Sequence, residues 1–149
     1  MSGETIPIAS DHAGFALKAS LAGRLRDMGY EVADLGTDSP SSTDYPDYAH
    51  PLAQRVASGG ARRGVLLCGT GLGMSYVANR YPGVRAGVAW TPEVAALARQ
   101  HNDANVLVLP ARFVTETEAE AILRAFLETE FEGGRHERRV EKIEREDAR

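Results

Sequence analysis

With one cysteine, Cys68, in 149 residues, the chain cannot form an internal disulfide. Stability must therefore come from a packed core, and a reducing, cytoplasmic setting is expected. Long apolar runs are missing too, since none approaches the roughly 20 residues that span a membrane, and no membrane partner is expected. The amino terminus is polar and runs directly into Ile6-Pro7-Ile8-Ala9 without a leader pattern. Basic excess is absent as well: the formal net charge is −4, which argues against a broad nucleic-acid surface. An anionic ligand would have to be held locally. Among His12, His50, His101 and His136 no paired-ligand spacing stands out, and with one cysteine no zinc site is expected. Repeats, low-complexity linkers and a second-domain boundary are also lacking. One domain over residues 1–149 is expected, long enough to bury roughly 68–70% of its unfolded surface.

What the chain does contain is short apolar strands alternating with helical patterns. Strands are expected at Ile6–Ser10, Glu31–Leu35, Gly64–Cys68, Arg85–Trp90 and Asn105–Leu109. Leu17, Leu21, Leu25 and Met28 form one helical stripe; Tyr48, Leu52 and Val56 form another. A third begins with Val94 and Leu97 after Thr91-Pro92, whose proline suits a first helical position. A fourth starts at Thr115, where Glu118 completes a capping box ahead of Ile122, Leu123 and Phe126. This alternation implies a doubly wound, Rossmann-like α/β fold with five parallel strands and helices on both faces. Gly133-Gly134 then breaks the chain before a charged helix with Arg135, Arg138, Arg139, Lys142 and Arg145 among Glu137, Glu141, Glu144 and Glu146. Its apolar anchors are only Val140 and Ile143, so it is expected to dock on another body, most simply a second subunit. The Ser- and Pro-containing loop from Gly36 to Pro46 is longer than a connection needs, and either moves or closes over a site.

In an open parallel sheet, ligands bind beyond the carboxyl ends of the strands. The polar residues expected there are Asp11 and His12, Gly36 and Thr37, Cys68 to Ser75, and Thr91. Cys68 enters a turn with glycine at positions 69, 71 and 73, where bare N–H groups can converge on an anion and favour a thiolate. Alternatively, Cys68 is a buried small hydrophobe and the glycines serve a tight turn with close helix packing. Asp11 could be a helix cap, His101 could satisfy terminal carbonyls, and Arg112 could be ordinary surface. Arg135 and Arg139, four apart on a helix, can clamp one phosphate or remain an exposed pair. The glycine turn is not a Walker A loop, because no Lys-Ser or Lys-Thr follows it. Nor is it a good dinucleotide fingerprint, since Met74 stands at the third glycine. A cysteine phosphatase would need an arginine near that same position.

Asp11-His12-Ala13-Gly14, Thr43-Asp44-Tyr45-Pro46, Cys68-Gly69-Thr70-Gly71-Leu72-Gly73, Ala78-Asn79, Arg99-Gln100-His101-Asn102-Asp103-Ala104-Asn105 and Glu132-Gly133-Gly134-Arg135-His136 together resemble ribose-5-phosphate isomerase type B. The matching motifs run in order over nearly the whole chain, within a superfamily that includes the galactose-6-phosphate isomerase subunits. The resemblance implies interconversion of ribose 5-phosphate and ribulose 5-phosphate through an enediolate, with neither metal nor organic cofactor. It further implies a homodimer, extendable to a tetramer, with active sites at the subunit interface and the C-terminal helix exchanged between subunits. By residue matching, Cys68 is the base, and the N–H groups of Gly69, Gly71, Leu72 and Gly73, with the Thr70 hydroxyl, stabilise the enediolate. His101 opens the ring with Asp11 opposite, Asn102 orients hydroxyls, and Tyr45 lines the pocket. His12, Arg112, Arg135 and Arg139 match phosphate contacts, with His101, Asn102, Arg135 and Arg139 supplied by the partner subunit. Some relatives use a glutamate of the turn as base, but that position holds Ser75 here. Met74 and Trp90 depart from the family pattern and bear on pocket width. A six-carbon sugar phosphate such as allose 6-phosphate is the nearest alternative substrate. A non-catalytic nucleotide-binding module or a cysteine hydrolase would leave His101 and the arginine pair without a role.

Overall fold

A computed structural model describes residues 3–144. Arg145 and Glu146 of the charged segment lie outside the described residues. Five strands alternate with six helices: β1 Thr5–Ser10, α1 Phe15–Asp27, β2 Glu31–Asp34, α2 Pro46–Ala57, β3 Gly64–Cys68, α3 Leu72–Ala78, β4 Ala86–Val88, α4 Pro92–Asn102, β5 Val106–Pro110, α5 Glu116–Glu128 and α6 Arg135–Glu141. A 3-10 turn over His12–Gly14 leads into α1. The sheet order is β2-β1-β3-β5-β4, and every neighbouring pair is parallel. Among the described residues no helix is long and apolar enough to cross a membrane.

Both faces of the sheet are covered, which is why its central strands read as unbroken apolar runs. Val65 and Leu67 of β3 pack with Leu21 and Leu25 of α1 and Phe126 of α5. Leu66 and Cys68 turn to the opposite face, against Leu52 and Val56 of α2 and Met74 of α3. The helix starts follow local chemistry. The Thr91 hydroxyl accepts from the Val94 N–H at 3.1 Å, with Pro92 in the first turn. At α5 the Thr115 hydroxyl accepts from the Glu118 N–H, and the Glu118 carboxylate accepts from the Thr115 N–H, at 3.0 and 2.8 Å.

Three details differ from the sequence reading. On α1 the fully buried face is Lys18, Leu21, Ala22 and Leu25, while Leu17 and Met28 are only partly covered. Lys18 is 2% exposed, and its ammonium donates to both oxygens of Asp34, at 2.7 and 2.6 Å. A buried charge requires such a partner, so this pair fixes α1 against β2. On α4, Leu97 stays 39% exposed and the buried positions are Ala95 and Arg99. Strand β4 ends at Val88, where its pairing to Val108 of β5 stops, and Trp90 is left exposed. The start of the long loop after β2 is tied to β1: the Ser10 N–H donates to the Gly36 carbonyl and the Thr37 N–H to the Ser10 carbonyl, both at 2.7 Å.

The order of the strands creates one crevice. From β1 the chain moves outward to β2, whereas β3 lies on the other side of β1, and the helices after β1 and β3 leave on opposite faces. Such a switch point, beyond the carboxyl ends of β1 and β3, is where open α/β sheets bind ligands. Gly14 lets the turn after β1 lie directly on β3, because a Cβ at that position would stand 2.8 Å from the Leu67 Cβ and 3.0 Å from the Ser10 Cβ. Both neighbours are fixed to strands and cannot yield. Gly14→Ala should therefore lower unfolding stability by about 1–3 kcal/mol through overpacking, read as a fall in the denaturant midpoint. An unchanged midpoint would show that the turn does not rest on β3.

Candidate active site

The crevice gathers one group of side chains from β1, β3, β5 and the loop before α2. Cys68 ends β3 and is 5% exposed. Its carbonyl accepts from the Ala111 N–H at 2.9 Å, and the Gly69 carbonyl accepts from the Arg112 N–H at 3.0 Å. Pairing between the two segments thus continues past the strands. It carries the Arg112 side chain across Gly69, where a Cβ would lie 2.9 Å from Nη1. Gly71 has φ +79°, a left-handed conformation suited to glycine, and turns the chain into α3. The Thr70 hydroxyl accepts from the Leu72 N–H at 3.2 Å. Among the described residues, the N–H groups of Thr70 and Gly71 have no protein hydrogen bond. Ser75 turns inward, its hydroxyl donating to the Leu72 carbonyl at 2.7 Å. Met74 is fully buried in the core against α2.

Asp11 is the cap that its position after β1 allows. One carboxylate oxygen, Oδ1, accepts from the Ala13 and Gly14 N–H groups at 3.0 and 3.3 Å. The other oxygen has no protein partner among the described residues. His12 and Thr43 bind each other twice: the His12 N–H donates to the Thr43 hydroxyl at 3.2 Å, and the Thr43 N–H donates to His12 Nδ1 at 3.1 Å. Because Nδ1 accepts, the neutral ring carries its proton on Nε2, which is available as a donor. Thr43 thus orients His12, a role that the spacing of the two residues does not signal. Tyr45 sits above Gly73, where a Cβ would meet the phenol ring at 2.5 Å.

A second group forms at the far end of α4. Asp103 caps this helix in a left-handed conformation with φ +48°. Arg99, buried beneath it, donates to the carbonyls of Thr129 and Ala104 and to the Asp103 carboxylate, tying α4 to the end of α5. The Glu132 N–H donates to the Gln100 carbonyl at 3.1 Å, after which Gly133 and Gly134, with φ +68° and +57°, reverse the chain into α6. That reversal stacks His136 on His101, with ring centroids 4.3 Å apart and planes 13° from parallel. His101 and His136, which show no pairing in the sequence, are therefore neighbours, with Glu132 beside them. Asn102, Arg135 and Arg139 are exposed on the same end. Among the described residues no hydrogen bond or ion pair joins this group to the one around Cys68.

Residues 6–143 match the model of a family described as Ribose/Galactose Isomerase. The chain belongs to the ribose/galactose isomerase family. It is 47% identical over 138 residues to the ribose-5-phosphate isomerase B of Escherichia coli, covering 93% of each chain. A crystal structure of a ribose 5-phosphate isomerase from Thermotoga maritima superposes with a TM-score of 0.92 at 53% identity, covering 95% of this chain and 97% of that one. The Mycoplasma genitalium ribose-5-phosphate isomerase B, solved with bound ribulose 5-phosphate, gives a TM-score of 0.92 at 43% identity, over 96% of this chain and 95% of that one. The five-stranded parallel sheet is thus that of the family, and the chain is an aldose-ketose isomerase by membership.

His136 carries a testable electrostatic signature. Burial, then the neighbouring His101 and Arg135 charges, holds its imidazole below the usual histidine range against a smaller opposing effect of Glu132. A folded-state pKa below the unfolded one makes the neutral ring a source of stability. That stability is fully present above about pH 6.5 and is lost as pH falls through the lower folded value. An NMR titration should find His136 with a midpoint below 6.5, and a midpoint above it would contradict the burial of this ring.

Proposed function

We propose that this chain interconverts ribose 5-phosphate and ribulose 5-phosphate as a homodimer in which each active site draws on both subunits. The reading rests chiefly on the division of the family's site residues into two separate groups on one chain, since neither group alone holds an acid, a base and a phosphate clamp. The relative with ribulose 5-phosphate bound supports the choice of substrate. The surface supports the dimer: β4 is an edge strand, and Leu72, Tyr76, Trp90 and Leu97 are exposed on the elements that flank it. The partner subunit then supplies His101, Asn102, Arg135 and Arg139 to the crevice around Cys68, with α6 exchanged between subunits.

In this reading the furanose phosphate is held by His12 and Arg112 of one subunit and by Arg135 and Arg139 of the other. His101 protonates the ring oxygen while the unpartnered Asp11 oxygen takes the proton of the C1 hydroxyl, which opens the ring to the aldehyde. The Cys68 thiolate removes the proton on C2, the electrons move to the carbonyl oxygen, and an enediolate forms. Thr70 and Gly71 offer N–H groups that have no protein acceptor among the described residues. Each preorganised donor of this kind is worth roughly 3–4 kcal/mol to the transition state. The proton of the C2 hydroxyl passes to O1, Cys68 returns its proton to C1, and the ketose results. No metal or organic cofactor takes part in these steps.

The test is isomerisation of ribose 5-phosphate, allose 6-phosphate and free ribose by metal-free protein. Ribose 5-phosphate should be the preferred substrate, and Cys68→Ala should abolish turnover while substrate affinity is kept. Arg139→Ala should raise KM by about ten- to a hundredfold with a smaller change in kcat, because it removes a charge-assisted contact to the phosphate. Full activity without the thiol would reject Cys68 as base, and preference for allose 6-phosphate would reject the five-carbon assignment.

A further inference from the structure

The His101 ring has little to hold it. It lies in the last turn of α4, half-exposed, and neither ring nitrogen has a hydrogen-bond partner among the described residues. A general acid that must reach one ring oxygen needs a fixed direction. The contact that gives it one is the parallel stack with His136 at 4.3 Å. His136 is itself fixed: its side chain is buried, its N–H donates to the Gly133 carbonyl at 3.0 Å, and the Glu132 carboxylate lies 3.6 Å from its Nε2. Glu132 is tied in turn to the Gln100 carbonyl, one residue before His101. The four residues make a closed loop from α4 through the Gly133-Gly134 turn and back.

We propose that His136 is a positioning residue for His101, holding the ring-opening acid in one orientation through the face-to-face stack. The proposal rests on the reading of His101 as that acid. A shared metal ion is the competing use of the cluster, since one potential ligand atom from each of His101, Glu132 and His136 lies within 4.8 Å of the others. The ring geometry disfavours it. Imidazole lone pairs lie in the ring plane, and rings only 13° from parallel aim them along separate planes instead of at one point. An ion would have to break the stack in order to bind both. His136 Nε2 is buried without a hydrogen-bond partner among the described residues.

The experiment uses the full-length protein with ribose 5-phosphate, unlabelled and deuterated at C2, and compares His136→Leu with His136→Phe. The leucine removes the aromatic face, whereas the phenylalanine keeps it. His136→Leu should lose kcat on the order of ten- to a hundredfold, and its primary isotope effect should fall to near unity because ring opening then limits turnover. His136→Phe should recover most of kcat. His136→Gln serves the same purpose if the leucine variant does not fold. Parent-like kcat in the non-aromatic variant, a full isotope effect in it, or no recovery with phenylalanine would overturn the proposal. The His101 ring-proton resonances give a readout free of turnover: they should move downfield in the non-aromatic variant and stay upfield with phenylalanine. If the parent does not isomerise ribose 5-phosphate, the substrate assignment falls while these resonances still decide for or against the stack.

Discussion

Parallel pairing of β1 with β3, followed by departure of their helices to opposite faces, is the constraint on which the site depends. The carboxyl ends of the two strands lie side by side, so Asp11 and Cys68 follow neighbouring strands at one edge of the sheet. Continued backbone pairing beyond β3 and β5 then draws Arg112 across the turn. Such close approach works only without side chains on the turn. A Cβ at Gly69 would strike the Arg112 guanidinium, and Gly71 must adopt φ +79° to start α3. The glycines therefore serve packing and chemistry together, because the same bare backbone that admits Arg112 leaves N–H groups open to a ligand.

The other half of the chemistry is built on a different principle. At the end of α4, buried Arg99 and the left-handed Asp103 lock the helix terminus, and two successive glycines fold α6 back upon it. The result is a charged projection carrying His101, Arg135 and Arg139 with few apolar contacts of its own; Ile143 is 53% exposed. A charged segment of this kind gains little from packing on its own chain. Its retention makes physical sense if it completes a site on a second copy, where the exposed apolar residues beside β4 also find cover.

Much of this was legible in the sequence, for identifiable reasons. Central strands such as Gly64–Cys68 announce themselves because both faces are buried, and the caps at Thr91 and Thr115 are local interactions that a short segment specifies alone. Asp11 illustrates how two readings can share one residue: Oδ1 caps the following turn while its second oxygen has no protein partner among the described residues. The misses are all tertiary. Lys18 looks like a surface residue until Asp34 on β2 meets it, and Leu97 looks like core until the helix is seen turned to bury Ala95 and Arg99. Thr43 orients His12, and His136 meets His101, only after long stretches of chain have folded between them. Strand order was not legible either, because apolar runs do not say which neighbour each strand chooses.

Assembly of each site from two subunits is tested most directly by complementation between two inactive variants. Cys68→Ala damages the crevice group and His101→Asn the α4 group, and the two are mixed under conditions that exchange subunits. A mixed dimer then holds one intact site and one doubly damaged site. The predicted result is recovery of isomerase activity towards about a quarter of the parent value, since about half of the dimers are mixed and each has one working site. No recovery, with mixed dimers demonstrably present, would mean that Cys68 and His101 act within one chain.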